Sequence, residues 1–127
     1  MNKKAVSTDR GPKAIGPYSQ AIKTQGFMFV SGQTPLEPST GEMVGADVEA
    51  QTVRVLENIK GILESQGLSL ANVVKTTVFL KDMNDFATMN RIYASYFPET
   101  PPARSTIQVA RLPKDALVEI ESIVVLE

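Results

Sequence analysis

Only two stretches of this chain carry apolar residues at helical spacing, against six that read as strands, and that imbalance restricts the folds open to it. The first helical stretch covers residues 48–66, with Val48, Val55, Leu56, Ile59, Ile62 and Leu63 on one stripe. Asp47 is its expected N-cap and Gly67 its stop. The second carries Phe86, Met89, Tyr93, Tyr96 and Phe97, is capped by Asp82 or Asn84, and ends at Pro98. Strands are expected at residues 4–8, 18–23, 27–32, 73–81, 101–109 and 117–125, with Gln25-Gly26 as a tight turn and residues 35–45 as a surface loop. The last two strands read as a pair joined by a turn over residues 111–115. The order βββαβαββ predicts an α+β fold with one six-stranded mixed sheet and two helices on one face. Two helices leave the other face bare. Yet apolar residues stand on both sides of the strand at 73–81: Val74, Val78 and Leu80 on one, Val73 and Phe79 on the other. A bare apolar face on the order of several hundred Å² is unusual on a monomer, so the pattern predicts homo-oligomerisation.

The length of 127 residues suits one domain, and neither repeat nor linker interrupts residues 1–127. Net charge is −1 and no basic run exceeds Lys3-Lys4, which argues against nucleic acid or an anionic membrane as partner. The N-terminal residues lack the apolar core of a signal peptide, and no apolar run reaches spanning length. With no cysteine present, the expected location is cytoplasmic.

The chain also has no His and no Trp, so any chemistry falls to guanidinium, carboxylates, hydroxyls and backbone amides. Arg104 shares a strand face with Thr106 and Gln108, and Glu119 shares one with Glu121, Ile123 and Val125. A charge on such a face is costly unless paired or used. Arg104 reads either as a bidentate clamp for a small carboxylate or phosphate, or as half of an ion pair with Glu119 or Glu121. Glu119 reads as a base that orients water, or as the other half of that pair. Ser31-Gly32, at the end of an apolar strand, offers a hydroxyl and amides to an anion, or simply closes the strand. Tyr18 roofs a site or packs. Asn90, on the apolar side of its helix, supports a site or tethers helix to sheet. No metal-ligand cluster and no phosphate-cradling glycine loop is present.

The stretches Ile15-Gly16-Pro17-Tyr18-Ser19-Gln20-Ala21, Val30-Ser31-Gly32-Gln33, Lys75-Thr76-Thr77-Val78-Phe79 and Pro102-Ala103-Arg104-Ser105 resemble the RidA/YjgF family. So do Lys81-Asp82-Met83-Asn84-Asp85-Phe86-Ala87 and the run from Val109 through Glu121. The resemblance implies a fold like that of small chorismate mutases: a homotrimeric barrel, helices outside, clefts between subunits. It also implies a 2-iminobutanoate/2-iminopropanoate deaminase. Such enzymes hydrolyse the enamine and imine products of pyridoxal-phosphate dehydratases to 2-oxo acids and ammonia, without a cofactor. The arginine of Pro-Ala-Arg-Ser marks that branch, and Arg104 matches it. By the same resemblance Arg104 binds the substrate carboxylate and Glu119 activates water, while Tyr18, Ser31, Gly32, Asn90 and Thr106 line or support the cleft. Thr106 departs from the cysteine that many members carry there. The alternatives are a trimer that binds 2-oxo acids and a partner protein, or the translation inhibition and ribonuclease activity tied to some members.

Overall fold

The computed structural model describes residues 2–127. Strands and α-helices follow in the expected order: β1 (Lys4–Val6), β2 (Ala21–Thr24), β3 (Phe27–Gln33), α1 (Val48–Glu64), β4 (Val73–Leu80), α2 (Phe86–Tyr96), β5 (Ala103–Gln108) and β6 (Val118–Val125). The strands form one mixed sheet, ordered β1-β2-β3-β6-β4-β5, in which β4 and β5 alone run parallel. This is the expected α+β class, with both helices on one face.

Local chemistry explains the helices. The Asp47 carboxylate accepts from the Ala50 amide at 2.9 Å, satisfying one of the free amides of the first turn of α1. At the other end Gly67 takes φ +73, and the Gly67 and Leu68 amides return to the Glu64 and Leu63 carbonyls. That left-handed step closes the helix and favours glycine. Every residue of the expected α1 stripe is buried. It packs on Met28, Val30, Val118, Ile120 and Val124 of β3 and β6. Before α2, Asp82 caps a single 3₁₀ turn, accepting from the Asn84 amide at 2.9 Å; Asn84 is not the cap.

The opposite sheet face is bare. Phe27, Phe29 and Ile107 are 42%, 45% and 45% exposed there, which bears out the expectation of an uncovered, partly apolar face.

Three expectations need correction. The second strand begins at Ala21 rather than at residue 18, because the Tyr18 amide bonds back to the Gly16 carbonyl at 2.8 Å and turns the chain. β5 and β6 are not paired, since β4 lies between them, parallel to β5 and antiparallel to β6. The α2 crossover carries β5 to the outer edge, and the chain then returns to the far side of β4. Finally, the register shifts between Val73 and Lys75, so Val73 is buried with Val78 and Leu80 while Val74 is exposed. One extra residue reverses the alternation.

Candidate active site

On β3 the register also shifts: Val30 faces Ser122 and Gln33 faces Ile120, leaving Ser31 and Gly32 together opposite one residue of β6. Such bulges re-aim side chains. Glu119 of β6 lies directly against Gly32, and a Cβ at position 32 would collide with its carboxylate. Glycine is required here for close approach. The Ser31 hydroxyl donates to the Ser19 carbonyl at 2.6 Å and its amide to the Gln20 carbonyl at 3.0 Å. The hydroxyl is therefore spent on closing the strand, and those bonds hold the bend carrying Tyr18 beside β3.

These residues line an open cleft of about 770 Å³, whose walls include Tyr18, Ser31, Gly32 and Glu119. Gln20, Lys114 and Glu121 also line it, and the sequence reading did not single them out as site residues. Gln20 is buried, and its amide nitrogen donates to the carbonyls of Thr8, Gly11 and Pro12 at 3.0, 3.2 and 2.8 Å. Its carbonyl accepts from the Thr8 amide at 2.7 Å. One side chain thus fixes the segment that leads into the cleft wall; the only trace in sequence is a long amide just before a buried strand. On the far wall Lys114 donates to the Gly41 carbonyl at 3.0 Å. Its turn is held by Arg111, which grips Asp115 through two bonds of 2.7 and 3.2 Å.

Glu119 is half-buried and, among the described residues, has no cationic partner. Burial, and then repulsion from Glu121, holds its carboxyl above the ordinary range. That suits a proton acceptor near neutral pH better than an exposed glutamate.

Arg104 lies elsewhere. It stands directly beside Thr76 on the helix-covered face, whereas Glu119 stands beside Phe79 on the bare face. The ion pair of Arg104 with Glu119 or Glu121 is therefore not formed, because β4 separates the strands and the side chains leave opposite faces. The Arg104 guanidinium sits 4.8 Å from the Tyr93 ring centroid and 5.5 Å from that of Phe86. Cation–π attraction of this kind holds a charge without neutralising it. Among the described residues no carboxylate pairs with it. Asn90 lies on the same helix stripe, between Phe86 and Tyr93. Thr106 follows on the same strand face as Arg104, its hydroxyl buried without a partner.

One chain thus holds the expected residues in two separate groups: Tyr18, Ser31, Gly32 and Glu119 on the cleft, and Asn90, Arg104 and Thr106 under α2. Among the described residues no group of His, Cys, Asp or Glu could hold a metal ion, and no helix is long and apolar enough to cross a membrane.

The six-stranded mixed sheet with two helices on one face, an unpaired arginine under one helix and a half-buried glutamate on the cleft define a small α+β protein of one recognisable class. The family model for endoribonuclease L-PSP matches residues 8–126, and the chain belongs to that family, the one that includes YjgF and RidA. It is similar to a RutC family protein of Pyrococcus abyssi, 58% identical over 123 residues and 97% of each chain. It is also similar to the chloroplastic Reactive Intermediate Deaminase A of Arabidopsis thaliana, 52% identical over 126 residues, 99% of this chain and 67% of that one. Among solved structures, E. coli TdcF with bound serine superposes with a TM-score of 0.92 at 48% identity, covering 98% of this chain and 99% of the other.

Proposed function

We propose that this chain is a 2-iminobutanoate/2-iminopropanoate deaminase of the cytoplasm, working in clefts between the subunits of a homotrimer. The observation that carries this reading is the guanidinium of Arg104, seated on two aromatic rings with no protein carboxylate to neutralise it. A buried-side cation left unpaired is poised for an external anion, and its planar fork matches a carboxylate. Glu119 cannot join it within one chain. In the proposed trimer the β5 edge of one copy closes the cleft of the next, so that one copy's Arg104, Asn90 and Thr106 face another's Tyr18, Gly32 and Glu119.

In that shared cleft Arg104 takes the substrate carboxylate in two parallel hydrogen bonds. Glu119 accepts a proton from water as the oxygen bonds to the imine carbon, and the C=N electron pair moves to nitrogen, which takes that proton back from Glu119. The carbinolamine then collapses: its hydroxyl proton passes to Glu119 and on to the nitrogen, and the C=O double bond forms as the C–N bond breaks. Ammonia leaves, and a 2-oxo acid remains with Glu119 ionised again. General acid–base help of this kind contributes roughly 10²–10⁴-fold, enough for an imine that is already labile in water. No step calls for a cofactor.

The family description also supports an RNA-cleaving reading, and serine bound to TdcF supports a small-molecule binding module. A chain of net charge −1 without histidine gives RNA cleavage little to work with. The test is release of ammonia and 2-oxo acid from freshly generated 2-iminopropanoate and 2-iminobutanoate. Acceleration over buffer is expected; tight 2-oxo acid binding with no acceleration would make the protein a binding module. Light scattering should give about three times the 13.8 kDa chain mass, and a monodisperse monomer would remove the shared cleft.

A further inference from the structure

Thr76 is the middle member of a row across the sheet. In register it stands beside Ser122 of β6 on one side and Arg104 of β5 on the other. Directly opposed residues of neighbouring strands share a face, so all three turn toward the helices. Thr76 is only 1% exposed, and its hydroxyl lies 2.7 Å from the Tyr93 hydroxyl of α2. The Tyr93 ring is seated against Phe97, with centroids 4.7 Å apart, and carries the Arg104 guanidinium 4.8 Å from its own centroid. Burial holds the Tyr93 hydroxyl above its ordinary range, so it keeps its proton for this bond.

An arginine on an edge strand has several rotatable bonds, and here no carboxylate fixes its head. We infer that Tyr93 and Thr76 are positioning residues for Arg104: the buried hydroxyl pair locks the ring, and the ring sets the plane of the guanidinium. The consequence for catalysis rests on the reading of Arg104 as the carboxylate clamp. The orientation itself is a property of the free protein.

The variants are Tyr93→Phe, Thr76→Val, their combination, and Thr76→Ser. Each is read by thermal unfolding, by the Arg104 Nε–H signal in NMR, by pyruvate affinity, and by kcat and KM for 2-iminopropanoate. Either single variant strands one buried hydroxyl and lowers stability. Tyr93→Phe still folds, because the ring keeps its seat against Phe97. The combined variant leaves neither hydroxyl of the pair unmatched and regains stability. A merely structural bond predicts that everything else recovers with it. The positioning role predicts otherwise: the Arg104 signal stays displaced toward that of an exposed arginine, and pyruvate binds about tenfold more weakly or worse. KM rises more than kcat falls, and Thr76→Ser behaves as wild type.

A combined variant with the wild-type Arg104 signal and wild-type pyruvate affinity overturns the inference. If the signal moves but wild type neither binds pyruvate nor hydrolyses imine, the positioning role stands and the deaminase reading falls.

Discussion

Gly32→Ala is the most revealing single change, because the three atoms nearest the added Cβ all belong to Glu119, the proposed base. An ideal Cβ at this position would stand 2.9 Å from Cδ and 3.2 Å from Cγ of Glu119, and closer still to its Oε2. No backbone atom is among the nearest neighbours, so the strand need not move. The carboxylate must. As the end of a flexible chain it can swing aside at a cost below the roughly 1–3 kcal/mol typical of overpacking a rigid core. A displacement of the reacting group by about 1 Å is worth on the order of 10²-fold in rate. The variant should therefore fold and melt close to wild type, bind pyruvate through Arg104 with unchanged affinity, and lose about two orders of magnitude in kcat. Initial rates of ammonia release, calorimetric melting and pyruvate titration read the three quantities separately. Adding Glu119→Gln to Gly32→Ala should cost little beyond Glu119→Gln alone, since both act through one carboxylate. Wild-type turnover in a folded Gly32→Ala protein would refute the reasoning, because the base would then not be the group lying on Gly32.

Other outcomes follow from the same geometry. Arg104→Lys should lose most activity while keeping its fold, since an ammonium cannot supply two parallel bonds; imine turnover at the wild-type rate would make Arg104 structural. Glu119→Gln should lower turnover by roughly 10²–10⁴-fold with 2-oxo acid binding retained. Because the fold raises the Glu119 pKa, its stabilising contribution is present below the unfolded value and lost as pH rises through the folded one. Glu119→Gln should therefore not destabilise the protein at neutral pH, as a denaturant titration would register. Glu121→Gln removes a negative charge that raises Glu119, so the acidic limb of the kcat/KM profile should move to lower pH; an unmoved limb would assign that ionisation to another group. Inactive Arg104→Ala and inactive Glu119→Gln chains, unfolded and refolded together at equal amounts, should recover about one quarter of wild-type activity if each cleft draws on two copies. No recovery would place both residues' work within one chain.

The helices were legible because their signals are local. Asp47, Gly67 and the stripe from Val48 to Leu63 act within a few turns of one another, and the structure keeps them all. Pairing was not legible. Two alternating strands joined by a short polar loop read as a hairpin, and nothing within residues 101–125 reveals that β4 takes the place between them. The same gap hid the geometry of the site. Alternation tells which residues share a face of their own strand, so Arg104 could be grouped with Thr106, and Glu119 with Glu121. It cannot tell whether those two faces are the same side of the sheet. The bulges at Val74 and at Ser31-Gly32 are equally silent, since one unpaired residue leaves no mark in composition while turning everything beyond it over. Tyr93 carried a signal that fitted an ordinary core position, and its bond to Thr76 needed a register to be seen.

The Gln20 side chain gives the cleft wall a cooperativity of its own. The four bonds it makes to Thr8, Gly11 and Pro12 share one amide group, so they cannot be lost one at a time as the bonds of a strand can when it frays. When that amide withdraws, the segment loses all of them together, while the bonds joining β2 to β3 stay intact. Opening of this wall is therefore expected as a local event of its own, with a free energy below that of global unfolding. In hydrogen exchange the Thr8 amide should report that event. The amide of Ser31, tied to the Gln20 backbone rather than to its side chain, should exchange only with the sheet.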